Sequence, residues 1–207
     1  MLVTTPAVVA GLRPVAKALP RTFVAGAALA ALASLVVLRS QPRGGLVTAG
    51  VLLACGLAPV LDDRAATTLE PSPTPRWVRR AMPLALTLPL LGLAWLALLA
   101  VAVVLAPAGT SVPLALSTWH WFGMICVVLI VSCSAGSLSV PSFDGSPAVA
   151  GLLGVLLGDS FLQQIWPKLG LFLLGEPDVS SRLQTRMVAL GALAVLAFAI
   201  SARDPAR

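Results

Sequence analysis

Long runs of apolar residues fill most of this sequence, and they restrict the fold more than any other feature. A soluble core of this size does not need such runs. The mean hydropathy is high, at +0.96, and the charged fraction of 11 % is well below the roughly 25 % of soluble domains. The solvent is therefore a lipid bilayer. We expect one all-α transmembrane domain over residues 1–207, a polytopic helical bundle of about six spans. The predicted spans cover residues 22–38, 46–61, 83–106, 119–140, 148–158 and 185–201.

The region after the fourth span is less regular than the others. The apolar run 148–158 is short, and the apolar character resumes only after several polar residues and Pro167. A continuous helix over 148–175 would be about 42 Å long, which is more than one crossing needs. We expect a fifth span followed by a broken, re-entrant segment over 159–183. A single kinked span remains the alternative.

Basic residues mark the N-terminal segment and the orientation of the bundle. Arg13, Lys17 and Arg21 recur every fourth position in 1–21, which predicts an amphipathic elbow helix lying on the membrane surface; a frayed basic tail is the alternative. Six spans place both termini on one side. With the termini inside, nine basic residues fall in cytoplasmic segments and five in outer ones, which favours cytoplasmic termini.

One elaborate polar stretch, LDDRAATTLEPSPTPRWVRR, occupies residues 61–80. The aspartates at its start are suited to cap a short helix, which Pro71 ends. Thr74 and Pro75 then repeat a helix start signal, a capping hydroxyl followed by proline. The loop 62–80 is thus predicted to hold a short helix, a proline elbow and a second helix joined to the third span. Such a unit transmits motion, although its arginines and tryptophan also suit an ordinary interface anchor.

At these residues the chain resembles a family. An acidic residue, then Thr-Leu-Glu, then a proline-bearing segment with Thr-Pro-Arg, is similar to the first cytoplasmic loop of ABC exporter permeases of the type-two (drug or polysaccharide exporter) class. The family often has glycine where this chain has Thr67, and Pro71 follows the glutamate directly. The resemblance implies an elbow helix, six spans, a re-entrant segment between the last two, and a coupling helix that docks on a cytosolic ATPase. The residues it assigns to coupling are Asp63, Thr67, Thr68, Leu69, Glu70, Thr74, Pro75 and Arg76.

No GxxxxGK[ST] phosphate loop occurs in the sequence, so the chain is expected to be non-catalytic and to bind no cofactor or metal. The resemblance implies ATP and magnesium on a separate ATPase subunit, and a second membrane subunit, identical or related. It also implies the inner (plasma) membrane of a bacterium. Membrane lipids are the remaining expected partner. The candidates for a translocation path or for polar packing are Ser132, Ser134, Asp159 and Gln163.

Other classes of function fit the sequence less well. An enzyme would need a metal or catalytic cluster, but His120 is the only histidine and Asp62-Asp63 lacks a second acidic pair. Nucleic-acid binding would need a basic face, whereas these basic residues lie at the ends of apolar runs. An accessory or scaffold membrane protein without a transport path stays open, because it explains the spans equally well.

Overall fold

The computed structural model describes residues 21–60, 76–137, 146–166, 171–172 and 181–202, and it is all-α over these ranges. Five of its helical segments are long and apolar enough to cross a membrane, while a sixth, over Thr22–Val37, is shorter. The prediction of a polytopic helical bundle is confirmed. The predicted elbow helix at 1–21 lies outside the described residues except for Arg21. The helices are α1 (Arg21–Val37), α2 (Pro42–Cys55), α3 (Arg76–Leu105), α4 (Leu114–Ser137), α5 (Ser146–Ile165) and α6 (Ser181–Ser201), with a 3₁₀ turn at Ala58–Val60 after α2.

Helix α4 lies at the centre of the bundle. It packs against α2, α5 and α6, while α1 packs on α2 and α3 contacts both α1 and α2. The spans that include α2 and α4 are 56 % and 50 % buried, whereas those of α3, α5 and α6 are only 22 %, 17 % and 22 % buried. The outer helices therefore present apolar side chains outward, as a bundle in lipid requires.

A tight hairpin joins α1 to α2. The connection is only four residues long, and Gln41 stands directly before Pro42, whose fixed backbone angle suits the first helical turn. The two helices approach closely at glycines: a Cβ on Gly45 would lie 3.3 Å from Leu35, and one on Gly56, just after α2, would lie 2.7 Å from Ala27. Close backbone approach through small residues is the usual way for membrane helices to pack.

Helix α3 meets α4 through a pair of tryptophans. The rings of Trp95 and Trp121 stack with centroids 5.2 Å apart and planes 8° from parallel. Trp95 also donates its Nε1–H to the hydroxyl of Thr118 at 3.3 Å. Gly50 of α2 lies beside both rings, and a Cβ there would make ordinary van der Waals contact with each at 3.7 Å.

The helix bounds differ from the predicted spans at several ends. Helix α2 begins at Pro42 and α4 begins at Leu114, directly after Pro113, so both start earlier than the apolar runs do. The fifth helix continues through Asp159 to Ile165, so the segment that breaks the helix begins later than residue 159. Asp159 consequently lies within a helix and not at the end of a short span.

Candidate functional site

The described part of the chain contains a single acidic side chain, Asp159, and it is only 5 % exposed. Its carboxylate accepts a hydrogen bond from the side-chain amide of Gln163 at 2.6 Å. It also accepts backbone N–H groups from Leu171 and from Phe172, the latter at 3.1 Å. A buried carboxylate needs such donors because desolvation makes an unpaired charge costly. Asp159 thus ties α5 to the segment that leads to α6.

His120, the only histidine of the sequence, binds the same segment from α4. Its Nε2 lies 2.6 Å from the carbonyl oxygen of Phe172, and since a carbonyl only accepts, Nε2 carries the proton. The His120 and Phe172 rings also meet edge to face, with centroids 6.5 Å apart. Both residues are buried: His120 is 2 % exposed and Phe172 is fully enclosed.

The local sequence explains why the chain leaves the helix before it reaches this site. The last helical hydrogen bond of the region runs from the N–H of Trp166 to the carbonyl of Leu162 at 2.7 Å. Pro167 follows in the sequence, and the residue before a proline disfavours helical geometry. Leu171 and Phe172 are non-helical yet lie beside Asp159, twelve and thirteen residues earlier, so the chain has turned back along α5.

The cluster lies at one particular end of the bundle. Helix α4 begins at this end, six residues before His120, and α5 finishes here, six residues after Asp159. Arg43, one residue into α2, is also close enough to act electrostatically on His120. The polar stretch at 61–75 joins the opposite ends of α2 and α3. The buried polar cluster therefore lies at the other end of the bundle from the last residue of α2 and the first residue of α3.

The four residues predicted to line a path or to pack as polar groups do not form one cluster, because they lie in two separate pairs. Asp159 and Gln163 are bonded, as their spacing of one helical turn predicts. Ser132 and Ser134 lie twelve and fourteen residues after His120 on α4, about 18–21 Å further along the helix. Ser132 is buried with no hydrogen-bond partner for its hydroxyl in the described structure, while Ser134 is exposed.

Of the eight predicted coupling residues, only Arg76 lies in the described part of the chain. Seven of them lie outside the described residues. Arg76 is the first residue of α3 in the described range, while the predicted helix start at Thr74 and Pro75 lies outside the described residues. The seven residues outside the described ranges are Asp63, Thr67, Thr68, Leu69, Glu70, Thr74 and Pro75.

Two participants in the buried cluster were missed from the sequence. His120 was considered from the sequence as a possible catalytic residue, but it is buried inside the bundle, on α4, which begins at Leu114. Phe172 was not singled out at all. The available signal was that one histidine and one acid stand alone inside apolar runs, where ionisable groups normally pair.

Other sites in the described ranges offer little chemistry. No group of three or more histidine, cysteine, aspartate or glutamate side chains in those ranges could hold a metal ion. An open groove of about 420 Å³ between α4 and α6 is lined by Thr118, Trp119, Phe122 and Val188, and its surface is almost wholly apolar. In a bilayer such a groove faces lipid.

Comparison with known proteins identified no similar protein. The chain matches no protein-family model, no curated protein and no solved structure. Its function therefore has to be inferred from the residues and the geometry described above.

Proposed function

We propose that the chain is the membrane permease subunit of an ATP-driven ABC exporter, coupled to a separate cytosolic ATPase. The supporting observation is the form of α3. This helix runs from Arg76 to Leu105 without interruption, whereas its apolar span begins only at Ala81. About 7 Å of helix therefore extends beyond the span toward the 61–75 stretch. A force on that stretch acts directly on a membrane helix.

The order of the parts also supports the proposal. In the described ranges six apolar helices follow one another, the polar stretch stands between the second and the third in the sequence, and the fifth helix ends at Ile165. These parts stand in the order that the resemblance implies. The resemblance supplies direction and partners; the described geometry supplies a membrane bundle in which α3, with Pro83 and Pro89 inside it, extends beyond its apolar span.

In this mechanism a helix containing Asp63 and residues 67–70 docks on the ATPase, and Thr74, Pro75 and Arg76 form the turn into α3. When the ATPases close on ATP and magnesium, the turn moves α3. Helix α3 contacts α1 and α2, and α2 contacts α4, so the displacement reaches the centre of the bundle. Access to the cargo then switches across the bilayer, with a second membrane subunit completing the transporter.

The proposal places the protein in the inner membrane of a bacterium, with both termini and residues 61–75 in the cytoplasm. The competing proposal is an accessory membrane protein without a transport path. One observation favours it: Ser132 and Ser134 are far from Asp159 and Gln163, so these four polar groups form no continuous route in the described structure. An integral membrane enzyme is the less favoured third alternative.

The deciding experiment is purification of the protein from its native membrane in nanodiscs, followed by identification of the bound proteins. We expect a soluble-type ABC ATPase to co-purify, and to be lost when Thr68, Leu69 and Glu70 are together replaced by alanine. Glu176→Ala, which removes an acidic residue from the sequence between α5 and α6, is the control and should keep the ATPase bound.

A single substitution tests coupling as opposed to binding. Glu70→Ala should leave the protein folded and ATP hydrolysis active while transport by the reconstituted complex falls. Normal transport by this variant would show that Glu70 has no coupling role. An intact, monodisperse protein that binds no ATPase at all would refute the permease proposal and favour the accessory one.

A further inference from the structure

The polar groups of one short segment of the chain are held by side chains from two different helices. Asp159 of α5 accepts both N–H groups of Leu171 and Phe172, and His120 of α4 donates to the Phe172 carbonyl. We infer that Leu171–Phe172 is a releasable plug, seated between α4, α5 and α6 and latched by Asp159 and His120. This inference does not depend on the proposed transport function.

The seat, the space beside Gly123 and Met187, fits the Phe172 ring. A Cβ added to Gly123 of α4 would lie 2.9 Å from Cε1 of Phe172, and it would also collide with the sulfur of Met187 on α6. The ring therefore occupies space that almost any side chain at position 123 would fill. Phe172 is fully buried there, so withdrawing it would open a cavity bordered by α4 and α6.

The latch, the hydrogen bonds from Asp159 and His120 to the segment, is made by side chains, whereas the surrounding helices are held by backbone hydrogen bonds. Backbone bonds within a helix break only when the helix unwinds. The bonds on Leu171 and Phe172 break when Asp159 or His120 changes rotamer, or when α4 and α5 separate slightly. Leaving these backbone groups unpaired in an apolar bundle is costly. This cost stabilises the state in which Leu171 and Phe172 are bound.

The seat is also built to survive release of the plug. Asp159 keeps a partner when the segment leaves, because Gln163 bonds it from the same helix. Met187 has a flexible thioether side chain that can move into the vacated space. Release therefore costs the bonds to the segment, including the one that His120 makes to Phe172, and leaves the helices themselves paired.

Cysteine labelling measures the release directly. In a background with Cys55, Cys126 and Cys133 replaced by alanine, Leu171→Cys in nanodiscs is exposed to a small water-soluble maleimide. Asp159→Ala and His120→Ala should each accelerate labelling about tenfold or more, because the first removes two hydrogen bonds to the segment and the second removes one. His120→Gln, which keeps a donor, should restore slower labelling.

Gln163→Ala is the matched control. It alters the surroundings of Asp159 but removes no bond to Leu171 or Phe172, so labelling should change less than about twofold. Equal labelling rates in the reference protein and in both alanine variants at positions 159 and 120 would overturn the inference.

Hydrogen exchange of the unsubstituted protein separates a releasable plug from a structural contact, and it decides the matter even if Asp159→Ala does not fold. The Leu171 and Phe172 amides should exchange by local opening, faster than those of Met124 and Val128 in the buried part of α4. Their rates should not follow a destabilising change elsewhere, such as Gly56→Ala. Exchange as slow as that of α4, and rising with Gly56→Ala, would mean that the segment leaves only on global unfolding.

Discussion

The closest packing of the α1–α2 hairpin is at Gly56, where adding one methyl group provides a sharp test of the fold. A Cβ at this position would lie 2.7 Å from Cβ of Ala27, about 1 Å closer than carbon atoms normally approach. Neither group can rotate away, since both are attached directly to the backbone. Gly56 has φ −63° and ψ −19°, an ordinary helical conformation, so alanine meets no backbone strain there. The cost of Gly56→Ala is therefore steric.

We expect Gly56→Ala to destabilise the protein by about 1–3 kcal/mol, the usual range for an overpacked core. The matched control is Gly26→Ala on α1, where a Cβ would meet nothing within 4 Å. That substitution should be neutral, or stabilising by up to about 1 kcal/mol, because alanine favours the helix over glycine. The pair differs only in what surrounds the added methyl group.

The assay is reversible unfolding by SDS in mixed micelles, followed by circular dichroism. A double-mutant cycle with Ala27→Gly isolates the contact, since removing the opposing methyl group should recover at least half of the lost stability. If Gly56→Ala is as stable as Gly26→Ala, or if Ala27→Gly gives no recovery, the close approach of α1 and α2 is wrong.

Two further substitutions test packing on α4 with the same unfolding assay. Trp95→Phe removes the indole N–H that binds the Thr118 hydroxyl and reduces the stacked area with Trp121, so we expect a loss of about 1–2 kcal/mol; unchanged stability would show that the pair contributes nothing. Ser132→Ala deletes a buried hydroxyl without a partner in the described structure, so stability should stay equal or rise by up to about 1 kcal/mol, whereas a clear loss would reveal a partner for that hydroxyl.

The helical type of the apolar runs could be predicted from the sequence because lipid leaves the backbone few choices. Each apolar run must satisfy its own N–H and C=O groups, and only a helix does so within one segment. The ends were less predictable. Helices α2 and α4 start beside prolines, at Pro42 and after Pro113, while the predicted spans started where apolar residues began. Hydropathy marks the membrane, whereas helix starts depend on local backbone geometry.

The candidate site was also predictable only in part. The Asp159–Gln163 bond was foreseeable because residues four apart share a helix face. The bonds to Phe172 join residues 13 and 52 positions apart, so they depend on how α4 and α5 pack and on where the chain turns back. No local pattern encodes those distances. The isolation of His120 and Asp159 in apolar surroundings identifies them as residues that need partners, but not which partner each one finds.

The two ends of the bundle are connected through a short series of contacts. Helix α3, which leads away from the 61–75 stretch, stacks Trp95 on Trp121, and Trp121 is the residue next to His120 in α4. A displacement of α3 at Trp95 therefore acts on α4 beside His120, one of the two residues that hold Phe172. The latch nevertheless needs no ATPase to exist, because all its bonds are made within this chain. If no ATPase binds while the Leu171 and Phe172 amides still exchange by local opening, the permease proposal fails and the plug remains. If an ATPase binds but those amides exchange only on global unfolding, the opposite holds.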